Sequence, residues 1–146
     1  MNIQYRSLEL TDYNKGFLQI FFYLTNTPLQ DVSFEQFGKI FYSLDASQTM
    51  IMVAEMDYQI VGTGKCFLEV KFSRGICTCA HIEDIVIHPL YQKMGIGRTI
   101  VEKLIAWSIP HKVYKIILDC EPEKEAFYQK IGFTKGKSSS CMSLYF

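Results

Sequence analysis

Apolar residues recur along the first third of the chain with two different periods. Residues 3–9 alternate as a short strand, and apolar positions then fall at helical spacing over 11–24. A polar loop at 25–31 precedes Ser33 and Gln36, which have the spacing of a capping box, and a second helical stripe runs to residue 44. We therefore predict one strand and two amphipathic helices, whose stripes we assign to core packing rather than to a cofactor or partner groove.

The remaining two thirds alternate between β-rich and helical patterns. Polar residues at Asp57–Gln59 interrupt the first β-rich stretch and indicate a hairpin. The resulting order predicts one domain over 1–146, an α/β sandwich in which helices cover a single mixed sheet. The predicted elements are strands at 49–56, 60–71 and 76–88, a helix at 95–108, a strand at 113–118, a helix from Pro122 to Gly132, and two closing strands within 133–146.

Charge and composition narrow the classes of partner. The 15 basic and 15 acidic side chains give a formal net charge of zero, so no overall field attracts the chain to nucleic acid or to an anionic membrane. The N-terminus has charges and turn formers where an export signal would need an apolar block. We expect a soluble, cytoplasmic protein that binds small molecules.

The five cysteines are odd in number and lack the spacing of a disulfide framework, so we interpret them as reduced thiols. Cys77, Cys79 and His81 alternate and would share one face of a strand, which resembles part of a metal-ligand set. No second ligand pair completes four-fold coordination. We expect small buried side chains here and no metal.

The segment at 81–105 has the pattern of an anion-binding site, a strand that runs through a turn into a glycine-punctuated helix start. Gly95 and Gly97 permit close approach of a ligand to the backbone, and the first amides of the helix present free N–H groups. A diphosphate could bind there beside Lys93 and Arg98. A dinucleotide fingerprint would need Gly or Ala at Ile100, and a nucleotide-hydrolase phosphate loop would need Gly-Lys before Ser or Thr.

The pattern Gln92-x-x-Gly95-x-Gly97 resembles the pyrophosphate signature of the GCN5-related N-acetyltransferase (GNAT) superfamily, and the block at 126–133 resembles its second motif. The resemblance is closest to glucosamine-6-phosphate N-acetyltransferases. It is carried by HIEDIVI at 81–87, YQKMGIGR at 91–98, YKIILDC at 114–120 and FYQKIGF at 127–133. It implies a mostly antiparallel mixed sheet with helices on both faces, a homodimer, and acetyl transfer from acetyl-CoA to the 2-amino group of glucosamine 6-phosphate.

The resemblance also implies which positions bind acetyl-CoA. Family members hold the acetyl and pantetheine portions on backbone groups of a strand and the diphosphate on the following loop. The matching positions are Ile85, Val86 and Ile87 in the strand, Gln92, Lys93, Met94, Gly95, Ile96, Gly97 and Arg98 in the loop, and Lys124 and Tyr128 downstream.

Catalytic and sugar-binding positions follow in the same way. Tyr128 matches the group that protonates or hydrogen-bonds the CoA sulfur, Glu83 matches a carboxylate that attracts the substrate ammonium, and Asp119 matches a backbone carbonyl that meets the amine. On a regular strand Glu83 and Asp84 would point to opposite faces and could not share a proton. The positions that match substrate contacts are Thr25, Lys71, Arg74, Glu83, Asp84, Tyr114, Lys115 and Asp119.

The chain departs from the family pattern at two places. The late arginine that would bind the sugar phosphate has no counterpart in SSSCMSLYF, and Lys135, Lys137 or Arg74 are the possible substitutes. Lys124 stands where a CoA-contacting asparagine is usual. Two alternatives stay open: an acetyltransferase that acts on a protein or on another small amine, and a non-catalytic acyl-CoA-binding module.

Overall fold

The computed structural model describes residues 2–136 and 141–146. Five strands form one sheet in sequence order, in which β1 to β4 pair antiparallel and β5 pairs parallel with β4. The central predicted strands are confirmed, with ends that differ by a residue or two. The strands are β1 (Gln4–Ser7), β2 (Thr49–Met56), β3 (Gln59–Lys71), β4 (Cys77–Ile87) and β5 (Val113–Ile117).

Helices cover both faces of the sheet, as the predicted α/β fold requires. The helices are α1 (Phe22–Thr25), α2 (Phe34–Ser43), α3 (Ile96–Ser108) and α4 (Glu125–Gln129). One core lies between α3 and the sheet around Ile82, Ile100 and Leu104, and the other lies under the N-terminal segments and α2 around Ile20 and Phe37. Among the described residues, no helix is long and apolar enough to cross a membrane.

Two glycines in β3 allow α3 to lie close against the sheet. A Cβ atom at Gly62 would lie 2.7 Å from Ile87 Cδ1, and one at Gly64 would lie 2.9 Å from Ile100 Cγ2. Both distances are shorter than carbon atoms tolerate without a shift of the core. These glycines therefore fix the position of α3, and with it the position of the loop that precedes this helix.

The predicted helix at 11–24 is wrong, because the chain forms three short turns there. A 3-10 helix at Leu10–Lys15 ends at Gly16, whose φ of 83° is left-handed, and a second at Gln19–Phe21 leads into α1. A left-handed residue breaks the continuous hydrogen-bond ladder that one α-helix needs. Part of the apolar stripe is still buried, with Phe17 and Ile20 in the second core, whereas Leu24 is exposed.

A buried charge cluster anchors this N-terminal segment to the sheet. Arg6 donates hydrogen bonds of 2.7 and 2.6 Å to the two oxygens of Asp12, which is fully buried, and it also donates to Glu55 on β2. Lys15 Nζ lies 3.0 Å from Glu55 Oε1. The 3-10 segment is thus held against β1 and β2 by paired charges rather than by apolar packing alone.

The C-terminal predictions are only partly confirmed. The last helix begins as a 3-10 turn at Pro122–Lys124, and α4 then extends only to Gln129. The two closing strands predicted within 133–146 are wrong for the described residues 133–136 and 141–146, which form no strand. Met142 and Leu144 are 92% and 79% exposed, because no free sheet edge of this chain pairs with them. Lys137 and Ser138–Ser140 lie outside the described residues.

Candidate active site

The pairing of β4 with β5 stops halfway along β4. Their parallel ladder runs from Thr78–Val113 to His81–Ile117, whereas β4 continues to Ile87 and stays paired with β3 on its other side. After Ile117 the chain leaves the sheet. The side of β4 that faces β5 therefore has no strand partner over 82–87 among the described residues, which leaves a gap in the sheet beside β4. The Ile87 carbonyl already has a partner, since a side chain bonds to it.

A β-bulge lies within this unpaired portion. The register between β3 and β4 shifts between Thr63–Val86 and Lys65–Glu83, and Asp84 has a φ of 57°. Because the bulge breaks the alternation of side chains, the prediction that Glu83 and Asp84 follow a regular strand is wrong. Glu83 is half-buried and Asp84 is exposed, so both carboxylates lie beside the gap in different surroundings.

The loop after β4 ends in a left-handed glycine that starts α3. Gly95 has a φ of 81° and caps the helix with its carbonyl, which accepts from the amide of Thr99 at 3.0 Å. The preceding amides of Ile96, Gly97 and Arg98 thus point out of the helix end with no acceptor in the helix. With the positive end of the helix dipole, they have the geometry of an anion-binding site, so the anion-binding role of this loop stays a prediction.

The two glycines of this loop have different structural roles. Gly95 is required by its backbone conformation, since a Cβ atom there would meet nothing within 4 Å. A Cβ atom at Gly97 would make ordinary contacts, 3.4 Å from Ile87 Cγ1 and 3.6 Å from Phe127 Cζ. The fold therefore tolerates a side chain at 97, so packing within the chain does not explain the glycine there.

Side chains around the loop connect it to the end of β4. Gln92 Nε2 donates a hydrogen bond of 3.3 Å to the carbonyl oxygen of Ile87. Arg98 Nε donates to Glu102 Oε1 at 2.7 Å, and Lys93 is exposed with a φ of 64°. The loop thus has a fixed backbone and two cationic side chains at its surface, while Met94 is also exposed.

Tyr128 lies on α4 beside this region. Its ring makes edge contacts with Phe127 and Phe133, and its carbonyl accepts from the Phe133 amide at 3.1 Å. Burial, with a smaller effect of the neighbouring Cys120, raises the pKa of Tyr128 to about 12. The phenol is therefore protonated at any physiological pH and is a hydrogen-bond donor.

Two cysteines that the sequence did not assign to the site lie among its candidate residues. Burial and the carboxylate of Glu125 raise the pKa of the Cys120 thiol. The carboxylate of Asp119, and more weakly that of Glu83, raises the pKa of the Cys141 thiol. Asp119 and Glu83, which are far apart in sequence, thus both act on this one thiol. No spacing rule indicated Cys141, because its approach depends on the tertiary path of the C-terminal segment.

The other predicted substrate residues lie at the opposite end of β4. Lys71 pairs with Cys77 across the β3–β4 hairpin, and Arg74 lies over the Tyr114 ring at 4.9 Å. Glu83 is six residues further along β4 than Cys77, a separation of about 20 Å at the rise of a strand. One chain therefore does not bring Lys71 and Arg74 together with Glu83.

The remaining candidates are distributed around these two groups. Thr25 ends α1, and its hydroxyl donates to the Phe21 carbonyl at 3.2 Å. Lys115 is exposed on β5 opposite Cys79. Lys124 is exposed at the start of α4, and Lys135 is held by Glu125 at 2.7 Å.

Comparison with known proteins identifies the family. The model of the acetyltransferase (GNAT) family matches residues 10–133. A probable glucosamine 6-phosphate N-acetyltransferase 2 from Oryza sativa subsp. japonica is 36% identical, over 99% of this chain and 89% of the relative. The glucosamine 6-phosphate N-acetyltransferase of Arabidopsis thaliana is 33% identical over 97% and 95% of the two chains.

A solved structure agrees with these relatives. The crystal structure of glucosamine-6-phosphate N-acetyltransferase from Arabidopsis thaliana superimposes with a TM-score of 0.92 at 31% identity, and the match covers 100% of this chain and 99% of that one. The open side of β4, the anion-binding loop and α4 thus occur in a fold that a known acetyltransferase shares along its whole length. This chain belongs to the acetyltransferase (GNAT) family and, within it, to the glucosamine 6-phosphate N-acetyltransferases.

Proposed function

We propose that this protein transfers the acetyl group of acetyl-CoA to the 2-amino group of glucosamine 6-phosphate. The observation that carries the proposal is the unpaired side of β4 over 82–87, which leads directly into the anion-binding loop at 92–98. An acyl-CoA molecule has the matching parts in the same order, a thioester, an extended amide-containing arm and a diphosphate. The names of the relatives supply the sugar phosphate as acceptor.

Acetyl-CoA would bind mainly through backbone groups. Ile85, Val86 and Ile87 lie in the part of β4 that has no strand partner on this side, and they would bind the amides of the pantetheine arm in the manner of an added strand. The Ile87 carbonyl already accepts from Gln92. The free amides at the start of α3 would receive the diphosphate, while Lys93 and Arg98 add positive charge nearby. We propose that Lys124, which is exposed at the start of α4, also contacts the cofactor.

The carboxylates beside the gap suit the amine substrate. Glu83 and Asp84 attract the ammonium group of the sugar, and the Asp119 backbone carbonyl accepts a hydrogen bond from the amine once it has lost a proton. The neutral nitrogen then attacks the thioester carbon, the C–S bond breaks, and the amine proton is released as the amide forms. Backbone N–H groups of β4 stabilise the negative charge that develops on the carbonyl oxygen.

Tyr128 acts as a hydrogen-bond donor to the departing sulfur. With its pKa raised to about 12 the phenol is a much weaker acid than a thiol of pKa about 8.5, so complete proton transfer from Tyr128 to the thiolate is unfavourable. A hydrogen bond from the phenol still stabilises the thiolate as it leaves. The raised pKa of the Cys120 thiol argues against its use as a nucleophile, which favours direct attack by the amine.

A second copy of the chain would complete the sugar site. Lys71 and Arg74 lie beside the start of β4, where Lys71 pairs with Cys77, and Glu83 is about 20 Å further along that strand. Within one chain they are too far from Glu83 to contact the same sugar. The hairpin around them exposes Phe72 and Ile76, apolar side chains typical of an interface. We therefore propose a homodimer, acting in the cytoplasm, in which the hairpin of one protomer supplies cations for the phosphate in the site of its partner.

A free-thiol assay with acetyl-CoA and a panel of amines tests this function. We expect CoA release with glucosamine 6-phosphate and little with glucosamine, polyamines or N-terminal peptides. Release with peptides or polyamines but not with the sugar phosphate would redirect the assignment to another acetyltransferase. Binding of acetyl-CoA without release for any amine would indicate a non-catalytic acyl-CoA-binding module.

A further inference from the structure

A second cavity lies on the sheet face opposite α3. It has a volume of about 550 Å³, within the range of small-molecule sites, and it is lined partly by Ile20 and Ile60 of the second core. Its walls include the β2–β3 turn, the first 3-10 segments and the residue that follows β4. None of its lining residues belongs to the loop at 92–98 or is Glu83, Asp119 or Tyr128. It borders the proposed reaction site, since Tyr23 and Leu29 flank Thr25 and His88 follows Ile87, but it shares no residue with that site.

The turn at this cavity holds an aromatic ring that core packing does not explain. Asp57 and Tyr58 form the two-residue β2–β3 turn with φ values of 48° and 62°. Left-handed backbone suits Gly, Asn or Asp and is costly for a bulky residue, yet Tyr58 is 84% exposed. A strained residue that gains nothing from burial is a candidate functional position, and Tyr58 is one of the residues that line the cavity.

The opposite wall presents an oriented hydroxyl group. Tyr23 Oη lies 3.1 Å from His88 Nε2, and the two rings meet edge to face at 4.7 Å. His88 Nδ1 accepts from the Leu90 amide at 3.3 Å, which leaves the ring hydrogen on Nε2 and makes Tyr23 the acceptor. The Tyr23 proton is then free to be donated to a ligand in the cavity.

The charges and amides of the lining define the class of ligand. Lys15 is occupied by Glu55, with Nζ–O distances of 3.0 and 3.2 Å, so it is not available to a phosphate. The carboxylate of Asp57, which also lines the cavity, further disfavours an anion. Asn14, Gln19 and Gln59 supply side-chain amides, which donate and accept hydrogen bonds at once. Such groups suit adjacent hydroxyls of a ring, and an aromatic face suits the C–H side of that ring.

We propose that this cavity binds a neutral sugar ring, packed against Tyr58 and hydrogen-bonded by Tyr23 and the amide side chains. The ligand is uncharged, unlike the sugar phosphate of the proposed reaction, and its binding does not depend on catalysis.

Amide NMR titration of the whole protein tests the proposal with methyl glucoside and N-acetylglucosamine as probes and inorganic phosphate as the charged comparison. We expect saturable shifts at Gly16, Gln59 and His88 with a sugar and none there with phosphate. Absence of saturable shifts with either sugar, or shifts confined to the surroundings of Glu83 and Asp119, would overturn the proposal.

Two variants distinguish the contribution of the Tyr58 ring to sugar binding from its effect on the stability of the turn. Tyr58→Gly removes the aromatic face and suits the left-handed turn, so it should fold with unchanged or higher thermal stability and weaken sugar binding roughly tenfold. Tyr42→Ser removes an equally exposed tyrosine from α2 and should leave binding unchanged. Wild-type affinity in Tyr58→Gly would contradict the proposal. Acetyl-transfer rates are measured separately, so failure of the proposed function leaves this test intact.

Discussion

Gln92 Nε2 donates a hydrogen bond to the carbonyl oxygen of Ile87 and so ties the anion-binding loop to the end of β4. The two parts that would hold the diphosphate and the pantetheine arm are five residues apart in sequence and cross-linked by this side chain. We expect Gln92→Ala to raise the KM for acetyl-CoA about threefold to tenfold, since one hydrogen bond is worth about 1 kcal/mol, with a smaller change in kcat. Gln48→Ala, at an exposed glutamine far from the site, is the control, and equal effects of both variants would reject the role.

Tyr128→Phe removes the donor to the sulfur and keeps the ring that packs against Phe127 and Phe133. We expect kcat to fall by roughly a hundredfold, because the hydrogen bond that stabilises the leaving thiolate is lost, while the Kd for acetyl-CoA stays within about twofold. Steady-state kinetics and calorimetric titration measure the two quantities. A wild-type kcat in this variant would exclude Tyr128 from the chemical step.

The raised pKa of Tyr128 determines the alkaline pH at which activity should decline. The protonated phenol is the active form, and its pKa of about 12 lies above the usual value of 10. Activity should therefore keep its plateau past about pH 10, where an ordinary tyrosine would already be half ionised. A decline of kcat centred at the ordinary tyrosine value, absent from Tyr128→Phe, would contradict this environment.

Gly95 and Gly97 should respond differently to alanine. Gly95→Ala places a side chain on left-handed backbone and should destabilise the fold by about 1 kcal/mol and weaken acetyl-CoA binding. Gly97→Ala fits the fold and improves helix propensity, so it should maintain or raise the thermal midpoint and yet weaken binding by blocking approach of the diphosphate. Unimpaired binding in Gly97→Ala would show that the ligand does not approach the backbone there.

Because of the buried charge cluster of the N-terminal segment, the folded state should lose stability at acidic pH. Although burial acts to raise the pKa values of Asp12 and Glu55, hydrogen bonds from Arg6 hold both below their ordinary values of 3.8 and 4.5. A lowered pKa in the folded state means that this stabilisation is present above about pH 4.5 and is lost as pH falls further.

Arg6→Met tests the same cluster at neutral pH, because it leaves Asp12 buried without its main partner. We expect a loss of about 3–5 kcal/mol in the free energy of unfolding by urea at pH 7 and a smaller loss at pH 4. An unchanged midpoint at pH 7 would show that the cluster contributes little.

Sequence patterns that depend only on neighbouring residues predicted much of the secondary structure. The hairpin at Asp57–Gln59, the capping box of Ser33 and Gln36, and the glycine start of α3 depend on neighbouring residues, so the sequence alone indicated them. The 3-10 turns around Gly16 were missed because the charge pairs of Arg6 and Lys15 depend on strands distant in sequence.

Tertiary contacts account for what the sequence did not indicate in the site. The close packing of α3 on Gly64 and the bulge at Asp84 follow from how β3 and β4 pair. The effect of Asp119 and Glu83 on the pKa of the Cys141 thiol follows from the path of the C-terminal segment. None of these relationships produces a period or a spacing in the sequence.

The most direct test of acetyl transfer to glucosamine 6-phosphate is to follow the sugar itself by proton NMR. The sample contains acetyl-CoA, glucosamine 6-phosphate and a catalytic amount of the protein. If the protein acetylates glucosamine 6-phosphate, a new N-acetyl methyl signal grows and the sugar H2 signal shifts downfield, both at the rate at which CoA appears. Both changes should be much slower with Tyr128→Phe. Intact glucosamine 6-phosphate in the presence of active enzyme, with acetyl-CoA consumed only by another amine, would contradict this function.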